Sequence, residues 1–381
     1  MTRNNDLGAT TPRPRTATPR TAGNAVSRGA LTRRSFALVG GAALAICAGT
    51  ALSLAGAGRP AWAAGAADAK GGTGELGRAG SSAREGASSS STADGGALRV
   101  VATFYPMYDF ARKVGGERVE VSCLVPAGTE PHDWEPSTAD IVALQEADAF
   151  VYSGAGMEGW VGDAVASLPE DGPTVVEASE GIALRALDGE AEGDGENHDH
   201  EGRGRGESGV DPHVWLDPRN AKAQMANIGD ALSQADPDGA GDYRANCERW
   251  ARECDALDDE YRAALSDVSR RSIVVSHEAF GYLCDAYGLE QLPIEGVDAD
   301  SEPDARRMAQ IADFVRANDV RVIFSEELVS PKVAQTIASE TGATVRTLNP
   351  IEGLTDEQLA AGEDYFSVMR ANLEELKEAL S

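Results

Sequence analysis

The sequence predicts an α/β protein with two parallel-sheet domains that are joined by one long, rigid helix. Apolar runs of strand length alternate with helical patterns twice along the chain, over residues 98–235 and 270–381. This alternation is typical of parallel sheets covered by helices on both faces. With 381 residues and 42% apolar content, the chain is long enough for two domains with a core each.

Residues 1–63 are predicted to be an export signal of the twin-arginine type. Arg33 and Arg34 precede 23 uncharged residues, 36–58, and Ala61, Trp62 and Ala63 form a small-x-small cleavage site. Two alternatives are an uncleaved membrane anchor and lipid attachment at Cys47, although Ile46 is bulky for a lipoprotein peptidase. All three place the body outside the cytoplasmic membrane, in the periplasm or at the cell surface. Residues 64–97 are mainly Gly, Ala and Ser and are expected to form a flexible tether.

The first domain, 98–235, is predicted from three apolar strands and the helices between them. A helix is expected to end at Gly115 and Gly116, a second to be capped by Ser137, and a third to follow residue 218. The predicted strands cover residues 98–103, 119–125 and 149–152.

The linking helix, 236–269, carries apolar residues at steps of three and four over 23 residues, a length of roughly 35 Å. Those residues are Tyr243, Cys247, Trp250, Cys254, Leu257, Tyr261 and Leu265. The second domain, 270–381, follows with strands predicted at 272–276, 291–294, 320–324 and 344–348. Helices are predicted near 303–317 and 331–341, and an amphipathic helix ends the chain.

Residues 188–210 interrupt the first domain with a loop of eight acids and seven glycines. Its composition predicts disorder. The loop is either a solvated insertion or a weak, mobile metal-collecting arm in which His198, Asp199 and His200 take part.

Residues 64–381 hold 26 basic and 61 acidic side chains, a formal charge of −35. A nucleic-acid partner is therefore not expected, because such a protein needs a basic face. An acidic surface attracts cations and also confers solubility.

The four cysteines of this part, Cys123, Cys247, Cys254 and Cys284, have no CxxC spacing, which argues against a thiolate metal site. Their disulfide state stays open at this point.

Three histidines stand where open α/β sheets place their binding groups, just beyond a strand or at the start of a helix. His213 lies in DPHVWLDP ahead of a helix. His132 lies 81 residues before His213, in the loop after the second strand. His277 lies 64 residues after His213 and directly follows the predicted strand 272–276. Two belong to the first domain and one to the second. A site that they share would therefore lie in the cleft between the domains.

Six segments follow one another along the chain: EPHDWEPS, the acidic His-containing loop, DPHVWLDP, VVSHEAFGYL, SPKVAQTIASETGA and LNPIEGLT. In these segments and their order, the chain closely resembles the zinc and manganese solute-binding proteins of ABC importers, the zinc branch in particular. The resemblance covers residues 98–381. It implies two α/β domains bridged by one helix, and a metal bound between them for delivery to a membrane permease with its ATPase.

The resemblance also implies a ligand set of His132, His213, His277 and Glu352. Manganese-type members carry a carboxylate where His277 stands and an aspartate at the fourth position. Glu326 and Glu327, at the end of strand 320–324, are competing candidates for the fourth ligand.

Three imidazoles and one carboxylate suit tetrahedral Zn²⁺, whereas Mn²⁺ prefers more oxygen donors; Cu²⁺ and Ni²⁺ also bind such sites. Manganese capture and a metal-binding adhesin are alternative functions. An exported zinc hydrolase is a third, but the chain has neither HExxH nor GxSxG. We expect a monomer without enzymatic activity.

Overall fold

The computed structural model describes residues 96–187, 209–297 and 303–381. The predicted export signal with Cys47, the tether up to residue 95, and the loop residues His198, Asp199 and His200 lie outside the described residues. None of the helices within the described ranges combines the length and the apolar composition needed to cross a bilayer.

The first domain contains a parallel sheet whose four strands lie in the order β2-β1-β3-β4. Val100 of β1 pairs with Val121 of β2 on one side and with Ala149 of β3 on the other. The elements in chain order are β1 (Leu98–Ala102), α1 (Tyr105–Gly115), β2 (Val119–Cys123), α2 (Thr138–Glu146), β3 (Ala149–Tyr152), α3 (Val161–Ala166), β4 (Thr174–Glu177) and α4 (Pro218–Ala235).

A single helix, α5 (Ala240–Leu265), joins the two domains and has 26 residues, which corresponds to about 39 Å. The predicted stripe faces inward, and Tyr243, Cys254, Leu257, Tyr261 and Leu265 are buried. The hydroxyl of Tyr261 also donates a hydrogen bond of 2.6 Å to the backbone carbonyl of Met369. The prediction of one long connecting helix is confirmed.

The second domain repeats the topology of the first, with four parallel strands in the order β6-β5-β7-β8. In both sheets the first and third strands are central, so a crevice opens between their carboxyl ends. The elements are β5 (Ser272–Val275), α6 (Gly281–Tyr287), β6 (Glu290–Pro293), α7 (Ala305–Ala317), β7 (Val322–Ser325), α8 (Lys332–Thr341), β8 (Thr344–Thr347), α9 (Asp356–Ala361) and α10 (Tyr365–Leu380). The predicted fold class is confirmed.

Successive strand residues point to opposite faces of each sheet, and the two faces enter different cores. In β5, Ile273 and Val275 join a large cluster that also contains Ala102 of β1, whereas Val274 packs with α7 and α8. In β1, Val101 packs instead in a small cluster with Leu144 of α2. The large cluster runs through both domains and includes buried residues of α4, α5 and α10.

Several short elements were not predicted from the sequence: α3, β4, α6 and α9. They have four to seven residues each, too few to show a clear hydrophobic period. The predicted strand 320–324 starts two residues too early and ends one residue too early, since β7 runs from Val322 to Ser325. Ser137 caps α2 as predicted, and it forms a capping box with Asp140.

All four cysteines among the described residues are free thiols, and Cys254 and Cys284 are fully buried. Burial raises the pKa of Cys123 and of Cys254 to about 12. These thiols stay protonated near neutral pH, and a protonated thiol is a poor metal ligand.

Candidate metal centre

One ligand atom from each of His132, His213, His277 and Glu352 lies within 4.8 Å of the corresponding atoms of the other three. His213, His277 and Glu352 are almost completely inaccessible to solvent, and the His132 side chain is 7% exposed. Such a concentration of imidazole and carboxylate in the interior is costly unless the groups compensate one another or share a cation.

A single oxygen, Glu352 Oε1, lies at the middle of the cluster. It is 2.9 Å from His213 Nε2, 3.1 Å from His277 Nε2 and 3.5 Å from His132 Nε2, and the Nε2 atoms of His213 and His277 are 3.3 Å apart. Ligands of a tetrahedral zinc ion with bonds near 2.05 Å are about 3.3 Å from one another. The four distances, 2.9 to 3.5 Å, are close to that spacing.

The imidazole of His213 is oriented by Asp211, which is fully buried. Asp211 Oδ1 accepts hydrogen bonds from the backbone N–H of His213 at 3.0 Å and from its Nδ1 at 2.9 Å. Because a carboxylate can only accept, Nδ1 carries a proton toward Asp211, and Nε2 is the ring nitrogen that faces the cluster. Trp215, two residues after His213, is also held in place, because its indole N–H donates a hydrogen bond of 2.8 Å to the carbonyl of Pro350 in the second domain.

His277 stands directly beyond the carboxyl end of β5 and is oriented by a residue at the end of β7. Because β5 and β7 are adjacent parallel strands, Glu326 lies beside His277, and its Oε1 is 2.8 Å from His277 Nδ1. Glu326 therefore occupies the ring nitrogen that faces away from Glu352. Outer carboxylates of this kind fix the tautomer and raise the basicity of a ligand histidine.

His132 lies in the loop between β2 and α2. The Glu130 carboxylate accepts a hydrogen bond of 3.0 Å from the backbone N–H of His132, which tightens the loop. Gly128 has a positive φ of 72° and donates its N–H to the carbonyl of Leu354 at 3.0 Å. This loop of the first domain is thereby tied to the segment of the second domain that carries Glu352.

The segment around Glu352 has an unusual backbone. Ile351, a β-branched residue, has φ 62°, a conformation that costs about 1–3 kcal/mol when the residue is not glycine. It is held by a hydrogen bond from its N–H to Asn349 Oδ1 at 2.6 Å, and Asn349 is held in turn by two hydrogen bonds with Asn372 of α10. This strained residue directly precedes Glu352, whose side chain reaches the histidines.

The charges of the cluster are strongly coupled. Burial by itself would lower the pKa of His277, but the Glu326 and Glu352 carboxylates raise that pKa well above 6.5. Burial would likewise lower the pKa of His213, and Asp211 and Glu352 raise it. Burial would raise the pKa of Glu352, whereas the charge on His277 and hydrogen bonds with the three histidines hold that pKa well below its ordinary value. Without an ion, the cluster holds protons against the Glu352 carboxylate.

The structure thus brings together the four residues that the resemblance implied, while the two competing carboxylates lie elsewhere. Glu326 contacts His277 Nδ1, and Glu327 lines a small cleft next to Glu352, outside the four-residue cluster. Sequence reasoning missed Asp211 and Glu130 as partners of the histidines. Both could have been found from a shared acid-Pro-His pattern, because in each case the acid accepts the N–H of the histidine two residues later.

Comparison with known proteins gives a consistent result. The family described as "Zinc-uptake complex component A periplasmic" matches residues 100–379. The chain is 44% identical over 287 residues to the zinc-binding protein AdcA of Streptococcus pyogenes serotype M6, an alignment that covers 74% of this chain and 56% of AdcA. It therefore spans little more than half the length of that relative.

Two further relatives match over nearly their whole length. The high-affinity zinc uptake system protein ZnuA of Bacillus subtilis is 41% identical over 291 residues, which is 76% of this chain and 90% of that protein. The crystal structure of the Zn(II)-bound ZnuA-like domain of Streptococcus pneumoniae AdcA is 36% identical, with a TM-score of 0.64, and the match covers 75% of this chain and 99% of that domain. The chain belongs to the zinc-uptake complex component A family of solute-binding proteins.

Proposed function

We propose that this protein captures zinc outside the cytoplasmic membrane and delivers it to the permease of an ABC importer with its ATPase. The observation that carries the proposal is the buried cluster of three histidine Nε2 atoms around one carboxylate oxygen. The ligands in this proposal are His132, His213, His277 and Glu352. The name and the zinc-bound state of the relatives described above support it.

The donor set favours zinc over manganese. Three imidazoles and a single carboxylate complete a tetrahedral shell, whereas Mn²⁺ prefers six ligands that are mostly oxygen. In the proposed ligand set protein atoms would take all four positions, which would leave none for the reactive water that a catalytic zinc site requires. We therefore assign the centre to metal capture and not to hydrolysis.

We also propose how the ion joins the domains. His132 and His213 come from the first domain, and His277 and Glu352 come from the second. A bound ion would hold the two domains to each other at this point, while α5 limits how far they can separate. Release would then need a small tilt and movement of the loops that carry the ligands.

The test is a calorimetric titration of the purified protein with Zn²⁺ and with Mn²⁺. We expect one tight zinc equivalent, weaker manganese binding, and a second, weaker zinc equivalent that depends on the acidic loop. A variant that lacks residues 188–210 should keep the tight equivalent and lose the weak one. Loss of the tight equivalent in this variant would make the loop a primary ligand and overturn the proposed ligand set.

Zinc affinity should fall steeply as the pH is lowered. Zinc binds deprotonated imidazole, and the neighbouring carboxylates raise the pKa of His213 and of His277 in the ion-free protein. Protons therefore compete at a higher pH than at an isolated histidine, and the fall should begin above pH 6.5. For each proton that zinc displaces, the apparent zinc affinity falls by about a factor of ten when the pH is lowered by one unit.

The pH dependence can be measured by competition with a chelator of known affinity from pH 8 to pH 5. Calorimetry in buffers of different ionisation enthalpy gives the number of protons released. Constant affinity over this range would be incompatible with a site built on histidine.

A further inference from the structure

Arg185 lies beside the metal centre at the junction of the two domains, between carboxylates that belong to each. Its Nε donates a hydrogen bond of 3.1 Å to Asp285 Oδ2 on α6, and its Nη1 lies 3.6 Å from Asp211 Oδ2. The Nη1 atom is also 3.9 Å from Glu278 Oε1, in the residue that follows His277. The Arg185 side chain is only 14% exposed, so its charge is weakly screened.

The contact with Asp211 matters because Asp211 orients His213. Asp211 is 0% exposed, and its Oδ1 is occupied by the ring and the backbone N–H of His213. Its Oδ2 accepts no hydrogen bond within the described residues. A buried carboxylate is costly without a compensating charge, and Arg185 supplies that charge.

The backbone brings the same residues together across the domain boundary. The Tyr282 hydroxyl of α6 accepts a hydrogen bond from the N–H of Arg185 at 2.9 Å and donates one to the carbonyl of Asp211 at 3.1 Å. The N–H of Asp211 in turn donates to the carbonyl of Arg185 at 2.8 Å. At Gly281 a Cβ atom would lie 2.3 Å from Asp211 Oδ2, so this close approach requires glycine.

From these contacts we infer that Arg185 is a positioning residue for metal retention. It holds Asp211 against His213 and ties this segment of the first domain to α6, the helix that begins four residues after His277. Its loss frees the His213 ring to rotate and loosens the domain junction, so the bound ion leaves faster. This inference rests on the proposed function and adds a residue that touches none of the four ligands within the contacts described.

The experiment measures zinc dissociation from the full chain by stopped-flow mixing with excess chelator. Arg185→Gln should release zinc about 10-fold faster, the lower end of the effect of outer-shell changes on metal sites. Arg185→Lys keeps the positive charge but has one nitrogen in place of the guanidinium group, so it should restore part of the retention. The visible spectrum of the Co²⁺-loaded protein should change in Arg185→Gln, because it reports ligand geometry, whereas a purely structural role would lower the melting temperature and leave the spectrum unchanged.

Two further variants make the test decisive. Lys222→Gln removes an exposed ion pair of 2.7 Å between α4 and α5 and should release zinc at the parental rate. Asp285→Asn removes the ion pair between the Arg185 side chain and α6 but keeps the Tyr282 hydrogen bond. It should speed release by about 2- to 5-fold, which corresponds to the loss of a partly exposed ion pair.

Parental dissociation from folded Arg185→Gln would overturn the inference, and so would release of zinc from Arg185→Lys as fast as from Arg185→Gln. If Arg185→Gln does not fold, a parental rate in Asp285→Asn overturns it instead. A parent protein that binds no zinc would refute the proposed function, which is a separate outcome.

Discussion

Replacing His277 with alanine is expected to abolish tight zinc binding. The substitution removes one Nε2 ligand and leaves Glu352 as the only proposed ligand from the second domain, so the ion no longer holds the two domains firmly. It also leaves the Glu326 carboxylate without the imidazole that it contacts at 2.8 Å. The loss of affinity should exceed the roughly 100-fold that the removal of an outer-shell partner causes.

Calorimetry of His277→Ala beside Glu326→Gln tests this expectation. Glu326→Gln keeps the ligand but weakens its orientation, and it should cost about 10- to 100-fold in affinity. The melting temperature of the zinc-free variants serves as the control for folding. Tight binding by folded His277→Ala would show that the ion is held elsewhere.

The second large effect is expected for Glu352→Gln. Three neutral imidazoles contribute no charge, so without this carboxylate a bound ion would keep its full 2+ charge in a buried centre. Glutamine has the same shape and removes only the charge, and zinc affinity should fall by at least about 10- to 100-fold. Glu352 is the carboxylate of the described four-residue cluster, and its Oε1 lies within 3.5 Å of all three histidine Nε2 atoms.

Glu327→Gln is the matched control, because Glu327 lines the same cleft and lies outside the four-residue cluster. It should bind zinc within about threefold of the parent, because Glu327 is not one of the four proposed ligands. Parental binding by Glu352→Gln would overturn the proposed fourth ligand. A large loss in Glu327→Gln, or a loss in Glu326→Gln well beyond about 100-fold, would then place that ligand at the end of β7.

The sequence predicted the fold well where the hydrophobic period is long. The stripe from Tyr243 to Leu265 contains enough turns to identify α5 without ambiguity, and the strand–helix alternation predicted the parallel sheets. β4 was not predicted because only Val176 of its four residues is buried, so the strand shows almost no hydrophobic pattern. The order of strands within a sheet depends on contacts between residues that are distant in the sequence, so local hydrophobic patterns do not predict it.

The candidate site was partly predictable for a similar reason. His132, His213 and His277 stand out because they follow strands or precede a helix, and that position alone suggested a shared cleft. Glu352 came from the resemblance, since a carboxylate in a loop has no distinguishing local pattern. The left-handed backbone of Ile351 could not have been foreseen, because it depends on the Asn349 and Asn372 hydrogen bonds between a loop and α10.

The large core cluster that passes from one sheet to the other has a consequence for unfolding. Its residues come from β1, β5, α4, α5 and α10 alike, so neither domain can expose its own inner face without opening that of its neighbour. Loss of structure in one half removes the packing partners of the other, and the described body is expected to melt as a single cooperative unit. The free energy of an ion bound at the junction would then be added to the stability of the whole body and not to that of one domain.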